Sequence, residues 1–169
     1  VQVGDAVTSW DFEQKRQCAE VVLDVMPPRN ESIVEIRVMS DGSANISTIR
    51  CTASHPFWVP GRGWASVDPE LGSEAAGVPT VALLPGDRLL TRSGGAAVVA
   101  GIVVLDDVEE VYNFHVNRTN SYFAAGVLAH NKGGCFTAGT PITLADGSSK
   151  DVARVQVGDA VTSWDFEQK

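Results

Sequence analysis

The stretch Ala129-His130-Asn131-Lys132-Gly133-Gly134-Cys135-Phe136 carries two residues, each able to break a neighbouring peptide bond. A cysteine thiolate can attack the carbonyl directly before it, and Gly134 offers that attack little steric hindrance. An asparagine side-chain amide can attack its own carbonyl, close a succinimide and release the next residue, here Lys132. His130 precedes that asparagine with an imidazole that titrates near neutrality, suited to polarising the carbonyl or protonating the leaving amine. A His-Asn pair alone is an ordinary surface dipeptide. Its closeness to Cys135, and the strand-like Gly126-Val127-Leu128-Ala129 before it, make it a candidate site.

Working outward, Val155 to Lys169 (VQVGDAVTSWDFEQK) repeats Val1 to Lys15 letter for letter. A chain that ends with its own opening reads as a closed loop cut open elsewhere. At 169 residues, 44% hydrophobic and 20% charged, it is globular and sized for one domain even with one copy of the repeat removed. A net charge of -8, with only 13 Lys and Arg, argues against a nucleic-acid or anionic-membrane partner. No apolar run approaches the ~18 residues of a membrane span. Cys18, Cys51 and Cys135 match neither a disulfide framework nor a zinc pattern, and an odd count leaves a thiol free. A reduced Cys135 favours a reducing, cytoplasmic compartment. No phosphate loop, dinucleotide fingerprint or metal-ligand cluster occurs, so neither cofactor nor metal is expected.

The elements read as short strands. Val21–Val25, Ile33–Val38, Ile46–Thr52, Val81–Leu84, Arg88–Thr91, Ala97–Leu105 and Val111–Val116 are β-branched or alternating, with Pro, Gly, Asn and Asp between them. Asp41-Gly42 and Ser93-Gly94-Gly95 read as hairpin turns. Helix is scarce, one turn near Pro69-Glu70-Leu71, and Gly72 to Pro79 reads as loop. Cys18 and Cys51, inside strands, read as small buried hydrophobes, and the tryptophans as core or rim aromatics. A fainter repeat lies beneath the perfect one. Val3–Val7 is echoed by Pro85–Leu89, Val21–Val25 by Val103–Val108, and Ile33–Val38 by Val111–Val116, in the same order. Gly-Asp turns and valine-rich strands recur in any β protein. The shared order favours an internal duplication about a pseudo-two-fold axis, with a central cleft suited to a site.

Cys135-Phe136-Thr137-Ala138-Gly139-Thr140-Pro141-Ile142, with Asp146-Gly147 and Val157-Gly158-Asp159 after it, resembles the opening of the Hint family of self-processing domains, which includes inteins, bacterial intein-like domains and hedgehog autoprocessing domains. Thr52-Ala53-Ser54-His55 is similar to the family's internal Thr-x-x-His motif, and Val111-Tyr112-Asn113-Phe114 through Gly126 to Asn131 resembles its closing segment. The likeness spans nearly the whole chain, in rotated order. It implies an all-β, pseudo-symmetric horseshoe, circularly permuted: 1–131 as the C-terminal portion, 132–134 as linker, 135–169 as the N-terminal portion. An engineered permutant and a fragment of a tandem array both fit.

The resemblance implies an N-S acyl shift at Gly134-Cys135, with His55 as acid for the leaving nitrogen and Thr52 hydrogen-bonding the scissile peptide, and cyclisation of Asn131 assisted by His130. The substrate would be the domain's own flanking polypeptide. Two departures limit it. Lys132 stands where splicing needs Cys, Ser or Thr, and the family often has Asp where Asn113 stands and His near Asn120. Asn113 stays among the candidate site residues, and His115, two residues away and so on one strand face, is a candidate replacement for the missing group, alongside a simple sheet-face role. Cleavage is therefore expected over splicing. The alternative is a catalytically silent β module that assembles, as a domain-swapped homodimer, through its duplicated segment.

Overall fold

The structure is a computed structural model and describes residues 16–166. The first copy of the repeat, with Trp10 and the Val3–Val7 turn, lies outside the described residues. Strands follow in the order β1 (Arg16–Val25), β2 (Arg29–Ser40), β3 (Ile46–Cys51), β4 (Phe57–Val59) and β5 (Gly63–Ser66), and then the helix α1 (Pro69–Ala76). After it come β6 (Val81–Ala82), β7 (Arg88–Leu90), β8 (Ala96–Tyr112), β9 (Phe114–Val116), β10 (Ser121–Ala124) and β11 (Val127–His130). The chain finishes with β12 (Phe136–Thr137), β13 (Pro141–Thr143), β14 (Ser149–Asp151), a 3-10 turn at Val152–Arg154 and β15 (Ala160–Asp165).

Alternation builds these strands. In β2, Val34, Ile36 and Val38 are buried while Arg37 between them is exposed, the period-two pattern of a half-buried sheet. Three sheets result, ordered β15-β1-β9, β14-β13-β10-β11-β4-β5-β6 and β12-β3-β2-β8-β7. Because β12 pairs with both β3 and β8, the third closes on itself around the short strand that follows Cys135. One core of Val22, Ile36, Ile49, Phe57, Phe114, Tyr122, Phe136 and Ile142 links all three.

The seven-stranded sheet is symmetric about its middle: β14-β13 flank β10 as β5-β4 flank β11. The Gly-Asp turns carry the same relation to the atom. Gly86 and Gly158 both sit at φ +91. The amide of Leu84 donates to Asp87 Oδ2 as that of Gln156 does to Asp159 Oδ2, each at 2.8 Å. Gly86 N donates to Val99 O and Gly158 N to Val22 O, again at 2.8 Å. These bonds make Val22 the counterpart of Val99, so the second sequence echo, drawn to Val103–Val108, is out of register; a valine-rich strand matches itself at several offsets.

Three other expectations change. The helix runs from Pro69 to Ala76, capped by Asp68 Oδ1 accepting from Leu71 N at 3.1 Å and ended by Gly77 at φ +71. Gly72 to Ala76 is therefore helix and not loop: Pro at the first position and glycine past the end are helix punctuation. Ala97–Leu105 and Val111 belong to one long strand, since β2 pairs along β8 from Arg29↔Val111 to Ser40↔Ala97 and keeps Asp106-Asp107 within it. Cys18 is half-buried with its thiol 3.8 Å from Glu20 Oε1, and burial with the nearby carboxylates raises its pKa to about 12. Cys51 is fully buried.

Candidate functional site

The turn Thr52–Pro56, between β3 and β4, touches both ends of the Asn131–Cys135 segment. Cys51 pairs with Phe136, which brings Cys135 alongside Thr52. The Cys135 amide donates to Thr52 Oγ1 at 3.0 Å, and the Thr52 amide donates to the Cys135 carbonyl at 3.0 Å. The nitrogen that would leave in an acyl shift is thus held by a hydroxyl. On the other side, Ala129 pairs with Phe57, and His130 N donates to Pro56 O at 3.0 Å, so β11 delivers Asn131 to the same turn.

Asn131 is fully buried, its amide donating to Asn120 O at 2.8 Å. Neither its side-chain oxygen nor its side-chain nitrogen has a hydrogen-bond partner. A buried amide left unpaired costs about 1–3 kcal/mol, a strain expected at a reacting group. Its carbonyl, by contrast, accepts from Asn113 Nδ2 at 3.1 Å. Asn113 Oδ1 accepts from Phe114 N at 2.8 Å and from Tyr122 Oη at 3.1 Å, which fixes the amide with its NH2 toward Asn131. His130 Nδ1 faces both backbone groups of Lys132, accepting from its N at 3.1 Å in one tautomer and donating to its O at 3.0 Å in the other, which places the imidazole beside the nitrogen that would leave. The His130 ring stands edge-on to Trp64 at 4.9 Å. Burial lowers its pKa, so it rests neutral at pH 7.

His55 is fully buried against Phe136, ring centroids 4.1 Å apart, with neither ring nitrogen in a hydrogen bond of normal geometry. Burial and the neighbouring His130 take its pKa down to about 3, against the backbone of His130 and Gly134, which favours the charged ring. At neutral pH His55 therefore offers a neutral N–H and not the imidazolium of a strong acid. Cys135 is 3% exposed, and burial raises its thiol pKa; Arg29 pulls the other way and Glu31 against Arg29. The Arg29–Glu31 ion pair, 2.8 Å apart, is separated from Cys135 by more than a hundred residues of chain, and no local sequence pattern signals it.

Thr52, His55, Gly134 and Cys135 thus form one cluster, and Asn113, His130, Asn131 and Lys132 the adjoining one. His115 joins neither. The ladder breaks at Asn113, β9 moves to the β1 sheet, and His115 pairs opposite Asp24. A family model described as the pretoxin HINT domain matches residues 1–137. No curated protein matches the chain.

Proposed function

We propose that this chain, which belongs to the pretoxin Hint domain family, cuts its own backbone on either side of Lys132-Gly133-Gly134, as a single-turnover reaction. The carrying observation is Asn131: its side-chain amide is buried without a partner, its carbonyl accepts from Asn113, and the nitrogen of Lys132 donates to His130. Asn131 Nδ2 bonds to its own carbonyl carbon, the bond to Lys132 N breaks, and the proton lost by the amide is balanced by one gained by the lysine amine. Asn113 stabilises the oxygen as it becomes negative.

At the other junction, Cys135 Sγ bonds to the Gly134 carbonyl carbon, the Gly134–Cys135 amide breaks and its nitrogen takes a proton, leaving a thioester. Thr52 holds that nitrogen at 3.0 Å. Water or an added thiol then resolves the thioester. Lys132 offers neither the hydroxyl nor the thiol that would accept the acyl group at that position, which favours cleavage over splicing. The domain reads as rotated, opening at Cys135 and closing at Asn131. Cys135→Ala is expected to abolish cutting before residue 135 and Asn131→Ala cutting after 131, each by mass spectrometry. Fragments unaffected by their own variant would point to an outside protease.

A second reading rests on the repeat. β15, from the second copy, pairs along β1 from Arg16↔Asp165 to Val21↔Ala160. The identical Ala6–Asp11 precedes β1 in the chain, with only Phe12–Lys15 between. Two equal claimants on one position support strand exchange between chains. Light scattering over a concentration series should then show dimer that disappears when Val155–Lys169 is deleted; a monomer at every concentration ends this reading.

A further inference from the structure

The two glycines before Cys135 sit against walls that leave no room for side chains. A Cβ at Gly134 would lie 2.5 Å from His55 Cα, 2.5 Å from His55 Cβ and 2.7 Å from its Nδ1. Contacts this short involve backbone, and that backbone is pinned: His55 N donates to Thr52 O at 3.1 Å, and the next carbonyl, Pro56 O, accepts from His130. At Gly133, φ is +100, and a Cβ would meet Ala76 Cβ and N at 3.1 Å and Pro56 Cδ at 3.3 Å. Other left-handed glycines, such as Gly126 and Gly139, have nothing within 4 Å of the same point. Lys132, one position further back, is exposed.

We propose that this seat, walled by His55, Pro56 and Ala76, selects the acyl donor: polypeptides whose last two residues before Cys135 are Gly-Gly, with any residue tolerated before them. The inference deepens the acyl-shift reading and rests on it for its chemistry. The thioester released to a thiol or amine would accordingly always end in diglycine. A methyl at 134 must displace the scissile carbonyl or the His55 turn by about 1 Å, and misplacement of that size costs about 10²-fold in rate.

The test uses the full chain with Asn131→Ala, so that only one junction reacts. Under dithiothreitol, Gly134→Ala and Gly133→Ala should slow thiolysis before Cys135 by about 10²-fold, and the distant Gly101→Ala, where a Cβ would meet nothing within 4 Å, by less than about twofold. With Cys135→Ala added, trypsin should cut after Lys132 about tenfold faster in Gly134→Ala than with glycine, because the segment has left its seat. An alanine at 134 that reacts and resists trypsin as glycine does overturns the proposal. If the glycine parent itself resists thiol, the acyl shift fails instead, and the trypsin comparison alone decides whether the seat is glycine-only.

Discussion

The two proposed cuts are expected to answer to opposite sides of neutrality. His130 has its pKa lowered by burial and is neutral at pH 7, with Nδ1 accepting from Lys132 N. As pH falls through that lowered value, the His130 imidazole gains the proton the lysine amine needs, so cutting after Asn131 should accelerate only once the pH is taken below the ordinary imidazole range. Cys135, its thiol raised by burial, gains thiolate as pH rises, so thiolysis before it should accelerate toward alkali. Fragment yields across a pH series check both; parallel profiles would contradict the assignment. The acid limb has a limit. His55, with a folded pKa of about 3 against 6.5 unfolded, binds fewer protons folded than unfolded between those values, so stability drains as pH falls across that window. Asn113→Ala should slow Asn131 cutting roughly 10²-fold, the loss of one oxyanion donor, with thiolysis at Cys135 retained as control. The candidate residues could be picked out in the sequence because Cys, Asn and His declare their chemistry. Asn113 was a candidate as well, but the direction of its amide was not legible: its NH2 donates to the Asn131 carbonyl, visible only once Tyr122 and Phe114 close around it.

At the scale of elements, α1 and the Thr52–Pro56 turn act together. Gly72 lets the helix pack down, since a Cβ there would lie 2.3 Å from Ser66 Oγ and 3.0 Å from the Ser54 carbonyl. Ser66 is buried with its hydroxyl donating to Asp68 O at 2.8 Å, so it cannot swing aside freely. Gly72→Ala should therefore destabilise by about 1–3 kcal/mol, although helix propensity alone favours alanine by about 1 kcal/mol. Urea midpoints measure it, and a stabilised variant would show that the helix can move. Strand alternation made β2, β3 and the β7–β8 turn readable in sequence. The helix was underread because Gly72 mimics a breaker, and its role, walling Gly133 with Ala76, depends on contacts between residues far apart in the chain.

Across the whole molecule, β15 reaches the site. Ser163 Oγ lies 2.9 Å from Ser121 Oγ and 2.7 Å from Thr119 Oγ1, and Ser121 pairs with His130. Phe166 stands 6.3 Å from Trp64, which packs on His130. The second copy of the repeat thus buttresses the edge that carries His130, and a chain lacking Val1–Lys15 should melt within a few degrees of the full chain. A large drop would mean that this copy does not hold the position alone. The duplication was plain in sequence; that the second copy sits on β1 was not, because identical segments are indistinguishable until a register is formed. Most direct for the central claim is a time course of intact mass on freshly purified chain, with and without dithiothreitol. Self-processing predicts species ending at Asn131 and, with thiol, species beginning at Cys135. One undiminished intact mass under both conditions, the same for Asn131→Ala and Cys135→Ala, would contradict it.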